Sequence, residues 1–342
     1  MAASSSSKRN RDWAWHPEIP MPVVPLFAWP WRPAKALRYL LSLGFMWTQI
    51  VPFAILAIVV WEFTQPALER CRELEAGWIA WMYLRNLGLM ILIAGGLHLF
   101  FHTFRAQGDQ RKFDSRDLAR NDARFFTGNQ TRDNIFWSCT SGVGIWTAYE
   151  VIMMWGYANG WFPHFLVWHE NPVLFVAWFL IIPFWSAVHF YVIHRLLHWK
   201  PLFRIAHALH HRNVTVGPWS GLSMHPIEHI IYLSGVFIHA AVVSHPVHVL
   251  FHGQYNTLQA ATSHTGFDSI LVRGKPVHYA GSFFHTLHHR YYNCNYGNQL
   301  VPMDKWFGSF HDGTPETWAR LRRRMASQAA ASAAGHGTSS AA

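Results

Sequence analysis

The chain has 342 residues, of which 51% are hydrophobic and only 13% charged, with 19 tryptophans and a formal charge of +10. Soluble domains carry about a quarter charged residues, so an ordinary soluble enzyme is excluded and a membrane protein is indicated. The basic excess suits anionic lipid headgroups. No compact basic patch interleaved with base-stacking aromatics occurs, so no nucleic-acid partner is expected, and three scattered cysteines (Cys71, Cys139, Cys294) cannot build a disulfide framework.

In chain order, residues 1–35 open with a Ser- and Lys/Arg-rich leader, expected to be disordered, that lacks the apolar core of a signal peptide. A Trp/Pro-rich stretch follows (Trp13, Trp15, Pro17, Pro20, Pro22, Pro25, Trp29, Pro30, Trp31, Pro33). Proline forbids a regular helix there and tryptophan favours the headgroup level, so an extended strap on the membrane surface is expected. Residues 36–193 are expected to hold four transmembrane helices, at about Ala36–Val60, Trp78–Phe101, Asn134–Tyr157 and Pro172–Ile193. Each is long enough for a hydrocarbon core of about 30 Å. Pro52 should kink the first; Arg85 in the second should snorkel to the interface. Glu150 in the third needs a partner that the sequence does not identify. Basic residues crowd the N-terminus, the loop after the second span and the segment after the fourth, so both termini should be cytoplasmic.

Residues 194–313 form the expected cytoplasmic cap, with 227–250 as interfacial or re-entrant helices over it. Residues 314–342 should contain an amphipathic membrane-surface helix, with Trp318, Leu321 and Met325 on its apolar face, and then a disordered Ala/Ser/Gly tail. The expected fold class is an all-α integral membrane protein: four transmembrane helices and a cytoplasmic, histidine-rich helical cap.

The chemistry is concentrated between His189 and His289, which holds 17 of the 24 histidines. Three boxes stand out: His194-Arg-Leu-Leu-His198, His207-Ala-Leu-His210-His211 and His285-Thr-Leu-His288-His289. Residues three and four apart share one face of a helix, so the first box aims two imidazoles at a common point and the other two aim three each. A single metal takes about four to six ligands; eight imidazoles in three boxes are economically read as holding two. A lone apolar-face histidine is ordinarily a hydrogen-bonded core residue, and His98 and His102 at the end of the second span read as interfacial. Glu228 and Asp268 are carboxylates that could orient the rings.

These boxes, with Gly217-Pro-Trp-Ser-Gly-Leu-Ser-Met-His225-Pro-Ile-Glu228 and the run from Phe284 to Gly297, resemble the fatty acid hydroxylase/sterol desaturase superfamily, and most closely its sterol C5-desaturases (lathosterol oxidases). Thr265, Cys294 and Asn298 depart from the usual pattern of that subgroup. The resemblance implies a non-haem di-iron oxidoreductase using O2 as co-substrate. Its electrons would come from a cytochrome b5-type or ferredoxin-type donor, and its substrate would be a sterol-like lipid drawn from the surrounding membrane lipids. Carried over by position, the iron ligands would be His194, His198, His207, His210, His211, His264, His285, His288 and His289. His189, His225, Glu228 and His278 are candidates for ligation or for contacts just behind the ligands. The implied location is an integral membrane protein with its cap facing the cytoplasm, in the endoplasmic reticulum of a eukaryote or the inner membrane of a bacterium.

Competing readings are a fatty-acyl, ceramide or alkylglycerol hydroxylase, a metal-binding transporter and a haem protein. A transporter would place ionisable groups near the bilayer midplane, and paired haem ligands need far fewer histidines. No HExxH zinc-peptidase motif occurs.

Overall fold

The computed structural model describes residues 13–163 and 166–337. The leader at 1–12 and the last five residues of the expected tail lie outside the described residues.

Among the described residues three helices are long and apolar enough to cross a membrane: α1 (Pro33–Phe63), α2 (Ala76–Thr103) and α4 (Pro172–Leu197). The chain is an integral membrane protein on that ground. The expected third span is a continuous helix, α3 (130–158), but it is not among the three. Its first turns are polar because they bind the cap. Gln130 and Asn134 both donate to Asn213 Oδ1 at 2.9 Å, and Asp133 pairs with Arg212. The break in α1 falls at Ser42 (ψ 161°), with wide π-type turns over Leu43–Ile50 leading into Pro52, whose missing N–H the wider turn accommodates.

Glu150 finds its partner on α2. It is buried in an ion pair with Arg85, and it also accepts hydrogen bonds from Asn86 (2.9 Å) and from Trp146 (2.7 Å). Arg85 therefore does not snorkel; its guanidinium also donates to Gln65 at 2.9 Å. An unpaired charge there would be expensive, and the network removes that cost.

The cap helices are α5 (200–211), α6 (226–241), α7 (Pro246–Ser263), α8 (Phe283–Tyr291) and α9 (Pro315–Gly337). The stretch 227–250, expected at the interface, divides between α6 and α7. Helix α7 is buried along most of its length, with Val249, Leu250, Phe251 and Leu258 fully enclosed against α1, α3 and α4. It is the central pillar of the fold.

The all-α expectation needs correction. A hairpin of β1 (His264–Val272) and β2 (Lys275–Gly281) pairs antiparallel, Val272 opposite Lys275. Its two-residue loop, Arg273-Gly274, has φ of 51° and 76°, the left-handed pair that closes hairpins with the right twist. The loop after α2 adds an edge, with Phe113 N–H donating to Gly266 O at 2.9 Å.

The first part of the Trp/Pro strap packs on protein, while Trp29 and Trp31 are exposed. Trp13, Trp15, Ile19 and Met21 cover Phe113, Phe283, Phe284 and Leu287, with Trp13 edge-on to Phe283 at 5.0 Å. Helix α9 likewise uses Trp318 against Tyr291 (4.3 Å) and buries Leu321.

Candidate metal centre

Four short pieces of chain converge where α4 leaves its span. The last turn of α4 supplies His194, and His198 caps it; α5 supplies His207, His210 and His211. His264 caps α7 as β1 begins, and α8 supplies His285, His288 and His289. Ser282 starts α8 by accepting from His285 N–H at 3.2 Å, which fixes the phase of that helix.

The nine histidines fall into two groups. His194, His198, His207, His211 and His288 form one; His210, His264, His285 and His289 form the other, each with ring nitrogens within 4.8 Å of one another. The three rings of one HxxHH turn do not share a point. Residues four apart, His207 and His211 or His285 and His289, stay together. The intervening histidine, His210 or His288, points to the other group, because adjacent residues sit about 100° apart around a helix. Each His-His pair thus feeds both groups and ties them side by side.

Hydrogen bonding fixes the tautomers of three rings. His194 Nδ1 donates to Tyr296 O (2.5 Å), His288 Nδ1 to Cys294 O (2.6 Å) and His264 Nδ1 to Ala260 O (2.8 Å). A carbonyl only accepts, so each Nδ1 carries its ring's proton and each Nε2 presents a lone pair. His207 Nδ1 is 2.7 Å from Glu228 Oε1. Yet Nε2 of His194 and His207 lie 2.9 Å apart, and Nε2 of His288 lies 3.0 Å from that of His211 and 3.2 Å from that of His198. His289 Nε2 faces those of His264 and His285 at 3.2 Å each. Where both rings carry their proton on Nδ1, lone pair faces lone pair and the two repel unless a cation lies between them. The donor set is all imidazole, with Nδ1 held in His194, His207, His210, His264 and His288 and without a partner among the described residues in His211 and His289, and it fits two transition-metal ions.

Electrostatics agree. Burial first, then neighbouring imidazoles, push His207, His211, His285 and His289 well below the ordinary histidine range. His198 is lowered to about 2, and burial lowers His210 to about 3 and His264 to about 4. These rings are neutral at physiological pH, as metal ligation requires. Burial raises Glu228 well above the carboxylate range.

The remaining candidates join neither group. His189 Nε2 bonds Ser234 Oγ (3.1 Å), His225 Nδ1 accepts from Ile227 N–H (3.2 Å) to cap α6, and His278 lies half-buried on β2. Asp268 pairs with Arg111 at 2.9 Å, leaving Glu228 as the carboxylate that touches a ring of either group. His102 contacts Thr265 O at 2.9 Å and stacks on His98. The carbonyls of Tyr296 and Cys294 were not foreseeable, since a backbone acceptor leaves no side-chain signature.

A cavity of about 650 Å³ opens beside both groups. His194 and His207 of the first and His210, His264 and His285 of the second line it, with Phe190, Ile193 and Leu197 of α4 and strap residues Pro17 to Pro25. Its size lies within the roughly 300–1,000 Å³ typical of small-ligand sites.

Fold and site together describe a chain with membrane-spanning helices and two clustered histidine groups, and residues 175–309, which carry all nine of those histidines, match the model of the fatty acid hydroxylase family. Among curated relatives, the chain is 34% identical over 148 residues to a Delta(7)-sterol-C5(6)-desaturase of Nicotiana tabacum, covering 42% of this chain and 52% of that protein. It is 31% identical over 150 residues to methylsterol monooxygenase 1 of Gallus gallus (42% and 49%). With the Delta(7)-sterol 5(6)-desaturase of Saccharomyces cerevisiae it shares 28% over 143 residues (42% and 38%). The chain thus spans about half the length, or less, of these relatives. No solved structure matches it.

Proposed function

We propose that this protein is a membrane-bound, O2-dependent di-iron oxidoreductase that desaturates or hydroxylates a sterol. The observation that carries the reading is the shared cavity: one apolar chamber touches both histidine groups and reaches the membrane-spanning helices. The relatives named as desaturases and as monooxygenases match the same region, so either outcome is consistent with it.

Two iron ions held by the nine histidines would supply the reduction of O2 and the oxidising power to take hydrogen from an unactivated C–H bond. The chain's own contribution is placement. Glu228 and the carbonyls of Tyr296, Cys294 and Ala260 hold the ring protons on Nδ1 and aim each Nε2 inward. Phe190, Ile193 and Leu197 exclude water and receive a lipid from the side of α4. Glu228 is the carboxylate in ring contact, and it bears on the group that contains His207. The positive loops support a cap on the cytoplasmic face, where a cytochrome b5-type or ferredoxin-type donor would dock. The endoplasmic reticulum is the corresponding membrane in a eukaryote and the inner membrane in a bacterium.

The test is expression in a sterol-producing host that lacks its own C5-desaturase, with sterols and fatty-acyl lipids profiled and metal measured on the purified protein. A new diene or hydroxysterol and about two irons per chain are expected. A hydroxylated acyl lipid with unchanged sterols would transfer the activity to acyl chains; no new product, or less than one transition metal per chain, would end the proposal.

A further inference from the structure

The cavity has a polar corner distinct from the histidines. Tyr255 and Gln259 lie four residues apart on α7 and so share a face; Gln49 reaches them from α1. Gln49 Oε1 accepts from the Tyr255 hydroxyl at 3.4 Å and from the Gln259 amide at 3.3 Å, while its own amide donates to Gly44 O at 3.1 Å. Both inbound contacts exceed the ordinary hydrogen-bond lengths of about 2.5–3.2 Å. Among the described residues none donates to Gln259 Oε1. Polar atoms tied this loosely are costly to leave facing a hydrocarbon. A hydroxyl, which brings one donor and two acceptor lone pairs, satisfies them.

The charge of the cavity narrows the ligand further. Its charged lining residues among those described are Glu18, Glu228 and Asp268, with no lysine or arginine. No lysine or arginine among them is placed to receive a carboxylate or phosphate headgroup, whereas a neutral alcohol needs none. The corner is also near the chemistry. His264 follows Gln259 by five residues, about 7.5 Å along the helix axis, and its ring folds back onto Ala260 O at 2.8 Å. The polar corner and the second histidine group therefore lie about one helical turn apart.

We infer that Gln49, Tyr255 and Gln259 form a subsite for the alcohol of a neutral lipid, holding it so that carbons a few bonds from the hydroxyl face the histidines. The inference deepens the reading of a sterol oxidoreductase and rests on it. For a sterol, whose hydroxyl sits on the first ring, it selects oxidation in the rings next to the alcohol and directs the side chain away.

Iron-loaded protein in detergent, kept anaerobic, is titrated with a labelled Δ7-sterol and with its 3-deoxy and 3-O-methyl analogues. The free alcohol should bind about tenfold more tightly than the deoxy compound, the equivalent of one or two hydrogen bonds. Gln259→Leu and Tyr255→Phe should each shrink that ratio toward one while affinity for the deoxy compound holds. Equal affinities in the parent protein, a ratio unchanged in both variants, or tighter binding of a long-chain fatty acid would overturn the subsite. Should Gln259→Leu lose its iron, the smaller Tyr255→Phe change gives the reading. Product formation in air is scored separately. Oxidation without hydroxyl preference refutes the subsite alone, whereas selective binding without oxidation refutes the oxidoreductase and leaves the subsite.

Discussion

Replacing Glu228 with alanine tests the metal assignment one group at a time. Glu228 Oε1 accepts from His207 Nδ1 at 2.7 Å, and both side chains are almost wholly buried. Alanine leaves the Nδ1–H without an acceptor in a dry site. A buried donor left without its acceptor costs about 1–3 kcal/mol, and losing contacts behind a metal ligand costs about 10–100-fold in affinity. The loss should fall on the group containing His207 and spare His210, His264, His285 and His289, which Glu228 does not touch. Iron counted after dialysis against graded chelator should therefore fall in two steps, the first at chelator activity at least about tenfold lower than in the parent protein. Glu228→Gln, which keeps an acceptor oxygen, should fall between the two. One unchanged step for the alanine variant would mean that Glu228 does not support a metal-bound His207.

His288 faces both His198 and His211, so His288→Ala should lower iron to about one per chain and product by more than the ~100-fold typical of outer contacts; metal analysis with product profiling checks both. Acid should destabilise the protein. Burial holds His198, His210 and His264 near 2, 3 and 4 in the fold, against about 6.5 unfolded. Below pH 6.5 the unfolded chain binds more protons, so stability present above that pH drains away as pH falls toward 4, by up to about 1.4 kcal/mol per unit for each such ring. A thermal midpoint that is flat between pH 7 and 5 would contradict those neutral rings. Arg85→Met or Glu150→Leu alone strands a buried charge and should cost about 3–5 kcal/mol, whereas the double change should recover most of it; denaturation in micelles compares the three.

The histidines were legible because ligand spacing is local. Boxes of three and four residues declare a helix face without any knowledge of the fold. Their division into two groups was not, since it depends on how α5 and α8 are phased against each other. Arg85 and Glu150 are 65 residues apart and belong to different helices, so neither carries a sign of the other in the chain. The hairpin was hidden because Ile270, Leu271 and Val272 break the alternation that marks a half-buried strand, and because pairing with the 104–129 loop satisfies its edge. The polar start of α3 reads as a loop followed by a span; Asn129, whose side chain accepts from Arg132 N–H, starts the helix, and Asn213 and Arg212, just after the second box, hold its polar turns.

The strap has a practical consequence. Strap residues between Pro17 and Pro25 wall the cavity, and Trp13, Ile19 and Met21 brace the helix that bears the third box. Deleting the first two dozen residues as dispensable would unroof the chamber to water and loosen α8 at once.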